Sequence, residues 1–60
     1  MEVRINREWT SFIKDGIVRI YKGRTLMDTI YTGDDVGVAI PKLKEWLRRE
    51  GVRHIPCEIQ

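Results

Sequence analysis

Arg19, Tyr21, Lys22 and Arg24 sit within six residues of one another, and no carboxylate occurs from Gly16 to Met27. Three cations beside one aromatic ring are the parts needed to hold a nucleic-acid single strand: a positive track for phosphates and a π-face on which a base stacks. Trp9 lies in a polar setting between Arg7-Glu8 and Thr10-Ser11 and is a second candidate stacking ring. Core packing explains Trp9 at least as well. On the residues alone, a solvated hairpin whose Tyr packs against a second chain stays slightly ahead of a binding surface.

Other chemistry finds little support. His54 and Cys57 are the sole histidine and cysteine. On an extended segment residues three apart point to opposite faces, so a Cys–His nucleophile pair is badly arranged there. A structural zinc site needs about four such ligands. Asp34-Asp35 after Gly33 reads as a turn or helix cap, since a hard-cation site needs more oxygen ligands at defined spacing. The glycines form neither a phosphate loop nor a dinucleotide fingerprint. The expectation is a protein without catalytic activity, metal or cofactor.

The chain has 60 residues, with 11 Lys+Arg against 9 Asp+Glu and a net charge of +2. Such a length holds one domain and buries only about 60% of its unfolded surface, so its core is marginal without a staple. One cysteine permits no internal disulfide, which leaves oligomerisation, and a homodimer is expected. No apolar run reaches the roughly 20 residues of a membrane span. The charged, alternating N-terminus is unlike a signal peptide, and the single thiol suggests a reducing, cytoplasmic compartment. From Gly33 onward, Lys42, Lys44, Arg48, Arg49 and Arg53 are balanced by Asp34, Asp35, Glu45, Glu50 and Glu58. A polyanion surface should therefore lie on the strands.

The elements that carry these residues follow from turn signals and periodicity. Trp9 to Lys14 reads as a strand, Asp15-Gly16 as its hairpin turn, Ile17 to Lys22 as the next strand and Thr25 to Tyr31 as a third. Alternation turns Val18 and Ile20 to the core and Arg19 and Tyr21 to the opposite face. The inward set of the third strand is ambiguous, because Leu26 and Ile30 share a parity with Asp28. Val36, Val38 and Ile40 fit a short fourth strand, against a helix that starts earlier, near Asp35. Pro41 suits a first helical position, and Leu43, Trp46 and Leu47 make an apolar helix stripe. Glu45 and Arg49 have the favourable i, i+4 order. Gly51 suits a left-handed C-terminal cap with Val52 folding back. Arg53 to Gln60 is either a short edge strand or a loosely held tail. The expected fold is α+β: an antiparallel sheet of three to four strands followed by one C-terminal helix, within a single domain spanning 1–60. One helix cannot cover both faces of the sheet, so the other face must meet solvent, a partner chain or a ligand.

The stretch from Val18 to Asp28 resembles the first hairpin of the transcriptional coactivator family named positive coactivator four. It has the strand, aromatic, Lys-Gly, basic, strand order and ends in an apolar-Asp pair. Gly37-Val38-Ala39-Ile40 is similar to the strand that leads into that family's helix, and Trp46 and Leu47 to residues of the helix. The resemblance runs from Val18 to Leu47 with a gap. It implies a homodimer with a groove for single-stranded DNA, bound without sequence preference, and a role in transcription or DNA maintenance. By position, Arg19 and Lys22 would touch phosphates, Tyr21 would stack on a base and Arg24 would be the basic turn residue. The chain departs from the pattern in a short acidic loop at Asp34-Asp35, in Ile30 where a basic residue is expected, and in the segment Met1 to Asp15. Two rival readings remain: a protein-interaction module, and a three-stranded sheet with a C-terminal helix that reads duplex DNA, the plan of integrase arm-binding domains.

Overall fold

The computed structural model describes residues 1–33 and 35–53. The chain folds as a four-strand antiparallel meander followed by a helix: β1 (Glu2–Arg4), β2 (Trp9–Lys14), β3 (Ile17–Lys22), β4 (Thr25–Tyr31) and α1 (Ala39–Glu50). The strands lie side by side in chain order. The expected α+β fold is present, and three strands have the bounds read from sequence.

Two tight turns set the register. Asp15 and Gly16 both have positive φ, 53° and 75°, the requirement of a type I′ hairpin whose twist matches that of its strands. Lys14 then faces Ile17, and the register carries on to Phe12 opposite Arg19 and Thr10 opposite Tyr21. Between β3 and β4 only Gly23 has positive φ, at 63°, and the two-residue Gly23-Arg24 turn pairs Lys22 with Thr25.

A β-bulge decides the ambiguous face of β4. Ile20 pairs with Asp28 but Tyr21 pairs with Leu26, so Met27 is an extra residue. A bulge of this kind reverses the side-chain alternation beyond it. Asp28 and Ile30 therefore share the inner face with Ile20 and Val18, while Leu26 moves to the outer face beside Tyr21.

The inner face and α1 form the core. Val3, Ile5, Ile13, Val18 and Ile20 meet Ala39, Leu43, Trp46 and Leu47, all buried. Burial of each large aliphatic side chain contributes about 1.5–3 kcal/mol. Ser11 is buried among them, and its hydroxyl donates to the Arg19 carbonyl at 2.9 Å.

Three sequence expectations are corrected. The stretch from Val36 to Ile40 is not a strand and follows the competing reading of a helical start near Asp35: Val36–Val38 is a 3₁₀ turn and the helix begins at Ala39. The piece likened to the coactivator family's pre-helix strand is thus helical here. The reason is local: the Asp35 carboxylate accepts the Gly37 N–H at 2.9 Å and the Asp35 carbonyl accepts the Val38 N–H at 3.3 Å, so Asp35 caps a helical turn. Pro41 is the third helical residue, still in the first turn, where its missing N–H has no intrahelical acceptor to lose. Arg49 pairs with Glu50 at 3.9 Å rather than with Glu45. The fourth strand is β1, supplied by the segment left unplaced in the sequence and paired with β2 from Glu2–Phe12 to Arg4–Thr10.

The helix ends as expected. Gly51 is left-handed at φ 75°, its N–H reaches the Arg48 carbonyl, and the Val52 N–H reaches that of Leu47 at 2.9 Å, the paired bonds of a Schellman cap. Asp34, His54 and Cys57, with the proposed edge strand or tail, lie outside the described residues.

Candidate nucleic-acid interface

Residues directly opposite one another in an antiparallel pair share a face, so the register assigns every strand side chain to one side of the sheet. The face away from α1 carries three rows: Glu2–Phe12–Arg19–Thr29, Arg4–Thr10–Tyr21–Leu26, and Lys14–Ile17–Tyr31. Phe12 and Tyr21 are diagonal neighbours, with ring centroids 5.6 Å apart and planes at 82°. Edge-to-face contact of this kind is favourable between aromatic quadrupoles and fixes both rings. Phe12 remains 45% exposed, Leu26 50% and Tyr31 73%. The charged side chains of these rows are Arg4, Lys14 and Arg19 against Glu2, three cations to one carboxylate. Arg24 is exposed in the β3–β4 turn at the end of the same sheet.

The structure separates the residues singled out in the sequence. Arg19 and Tyr21 are together on the open face. Lys22 and Trp9 oppose each other on the inner side, with the Lys22 Nζ 5.9 Å from the Trp9 ring centroid. Trp9 also packs against Trp46, ring centroids 5.7 Å apart. It is half-buried beside the core rather than presented with Tyr21. The cause is alternation: Trp9 shares parity with Ser11 and Ile13, and Lys22 with Ile20. Trp9→Phe is accordingly expected to leave single-strand affinity within about twofold, since stacking on Tyr21 and Phe12 is untouched. Fluorescence-anisotropy titration checks it.

Phe12, Arg4 and Lys14 are the additions. The signal for Phe12 was in the sequence: a two-residue Asp15-Gly16 turn fixes the register, which places Phe12 beside Tyr21 on the side opposite Ser11 and Ile13. Arg4 carried no such signal, because nothing in the segment before Trp9 fixes its pairing.

No family model, curated protein or solved structure matches the chain. The interface is therefore read from its own geometry. Among the described residues no group of three or more His, Cys, Asp or Glu side chains is placed to hold a metal ion, and no helix is long and apolar enough to cross a membrane.

Asp28 tethers the sheet to the helix. Its carboxylate accepts the Trp46 indole N–H at 2.7 Å and the Thr29 N–H at 2.7 Å. The Trp46 bond and then the Thr29 amide hold the Asp28 carboxyl below its ordinary value of 3.8; desolvation opposes them, and the charge of Arg49 adds a lesser lowering. A carboxyl whose pKa is lowered by folding contributes stability that is present above the unfolded value and is lost as pH falls through the folded one. Wild-type chain should thus lose stability from about pH 3.8 downward more steeply than Asp28→Asn, as read from thermal midpoints along a pH series.

Proposed function

We propose that this chain binds single-stranded nucleic acid, DNA foremost, without sequence preference, through the open face of its sheet. The observation that carries the reading is the Phe12–Tyr21 ring pair, Phe12 exposed and Tyr21 half-buried, on the face that α1 leaves bare and set among Arg4, Lys14 and Arg19. Every base has a π-face, so aromatic rings supply affinity that tolerates any sequence, and cations spaced across the strands track the phosphates. Arg24 extends the positive track around the turn. Lys22, on the other side, stands at the rim and not at the centre of the surface. The resemblance of the β3–β4 hairpin to the positive coactivator four family supports the same reading and extends it to a role in transcription or DNA maintenance.

Anisotropy of a labelled oligonucleotide, measured from low to moderate salt, tests the proposal. Each phosphate contact on a single strand adds about −0.7 to the slope of log affinity against log salt. Three or four cations predict a slope of roughly −2 to −3, and Arg19→Ala should reduce its magnitude by about 0.7. Absence of binding at low salt, or binding indifferent to salt, rules the reading out. Equal competition by unlabelled duplex would favour the duplex-reading alternative, since rings that stack on bases need them unpaired.

A further inference from the structure

We propose that β4 is the contact strand of a two-fold homodimer, in which two copies pair β4 against β4 and their four-stranded sheets join into one sheet of eight. The two edges of the meander are unlike. β1 has three residues, and two of them, Glu2 and Arg4, are exposed charges; short charged edges are a common protection against pairing. β4 has seven residues, TLMDTIY, exposed along most of its length. Its one charge, Asp28, is turned inward onto Trp46. It carries no proline, lysine or arginine, and it leaves Leu26, Met27 and Tyr31 exposed. A long edge with exposed apolar side chains and no lysine, arginine or proline is a template for another strand.

The hydrogen-bond phase identifies the β4 groups left without a strand partner among the described residues. The Thr32 N–H donates to the Gly16 carbonyl at 2.7 Å. In an antiparallel ladder the bonded pairs alternate, so Ile30 and Asp28 also bond toward β3, and Thr29 and Tyr31 direct their N–H and C=O groups to the free edge. Among these the Thr29 N–H is held by its neighbour Asp28, and pairing exchanges that acceptor for a carbonyl of the second copy.

The occupant is a second copy for two reasons. Two β4 strands meet antiparallel about Thr29 without bringing like charges onto the open face, and Thr opposite Thr is a favourable cross-strand pair. A two-fold axis normal to the sheet also keeps both helices on one side and both open faces on the other. The seam then lies between the Tyr31 side chains, and the two aromatic faces become one. The inference does not depend on what that face binds.

Sedimentation equilibrium over a concentration series tests it. The expected mass is twice the 7.1 kDa of one chain. Tyr31→Pro should return the monomer mass with an unchanged far-UV spectrum, because proline is tolerated where an edge N–H faces solvent but cannot join a ladder. Thr29→Lys should do the same by placing two charges at the axis. A wild-type monomer mass throughout, or a dimer that persists in both folded variants, overturns the proposal. Should the proline variant fail to fold, mild oxidation of Thr29→Cys in a Cys57→Ser chain decides. A cross-linked dimer at position 29, with none for Lys14→Cys, supports the β4 seam, and the reverse pattern refutes it.

Discussion

Replacing Phe12 and Tyr21 together by alanine is expected to lower affinity for a short single strand by about 10- to 1,000-fold. Base stacking on one aromatic ring is worth about 1–3 kcal/mol, and each 1.4 kcal/mol is about tenfold. The two rings touch edge to face, so one base resting on the pair at about 1.4 kcal/mol gives the lower bound, and two separate bases at about 2 kcal/mol each give the upper. Neither ring belongs to the buried core, and the fold should survive the double substitution. That separates a lost surface from a lost structure: affinity falls while the far-UV spectrum is kept and the thermal midpoint drops only as far as loss of the ring pair, roughly 0.5–1.5 kcal/mol, requires. Affinity within twofold of wild type would mean that these rings do not hold the bases.

The second large effect lies in the β2–β3 turn. A Cβ built on Gly16 would stand 2.1 Å from the Gly33 carbonyl oxygen, a backbone atom with no easy escape. The Thr32 N–H is bonded to the Gly16 carbonyl, so the two loops are fastened where the clash would occur. Gly16 also has φ +75°, in the left-handed region that costs an ordinary L-residue about 1–2 kcal/mol. Gly16→Ala is therefore expected to destabilise the chain by roughly 2–4 kcal/mol, the left-handed cost combined with displacement of the loop. For a domain of this length, each kcal/mol shifts the thermal midpoint by about 4–8 °C. Gly23→Ala is the matched control, since its φ is also positive but its Cβ would meet open space. Comparable midpoints for the two variants would show that the Gly33 approach does not constrain the fold.

The sequence carried β2, β3 and β4 because their turns are short and chemically explicit. Asp15-Gly16 announces one two-residue hairpin and the glycine of Lys22-Gly23 marks the second, whose turn residues are Gly23-Arg24, and such hairpins fix register as well as position. The cap at Gly51 was legible for a similar reason: a glycine after a basic last turn, followed by Val52, has few other uses. Where one residue had to be counted against another, the reading failed. The alternation of β4 could not be resolved, because a bulge at Met27 changes the parity and nothing in Leu26-Met27-Asp28 announces it. The stretch from Val36 to Ile40 alternates like a strand, yet Asp35 caps it into a helical turn before the pattern can act. β1 went unplaced because the Ile5–Glu8 connection has no glycine or proline. Its turn is made by Asn6, whose side-chain oxygen accepts the N–H groups of Glu8 and Trp9.

The candidate site divides along the same line. Arg19 and Tyr21 were placed correctly by period-two alternation within one strand. Lys22 and Trp9 were grouped with them by proximity in sequence, and the same alternation sends both to the other side of the sheet. The ring that completes the open surface is Phe12, one strand away, brought to Tyr21 by cross-strand register.

Backbone amide shifts recorded while a short single-stranded oligonucleotide is added show whether the open face of the sheet holds the strand. Perturbations should concentrate at Phe12, Arg19, Tyr21 and Leu26, with α1 from Leu43 to Leu47 unmoved. Shifts confined to α1, or none at a salt low enough for phosphate contacts to hold, would contradict binding at that face.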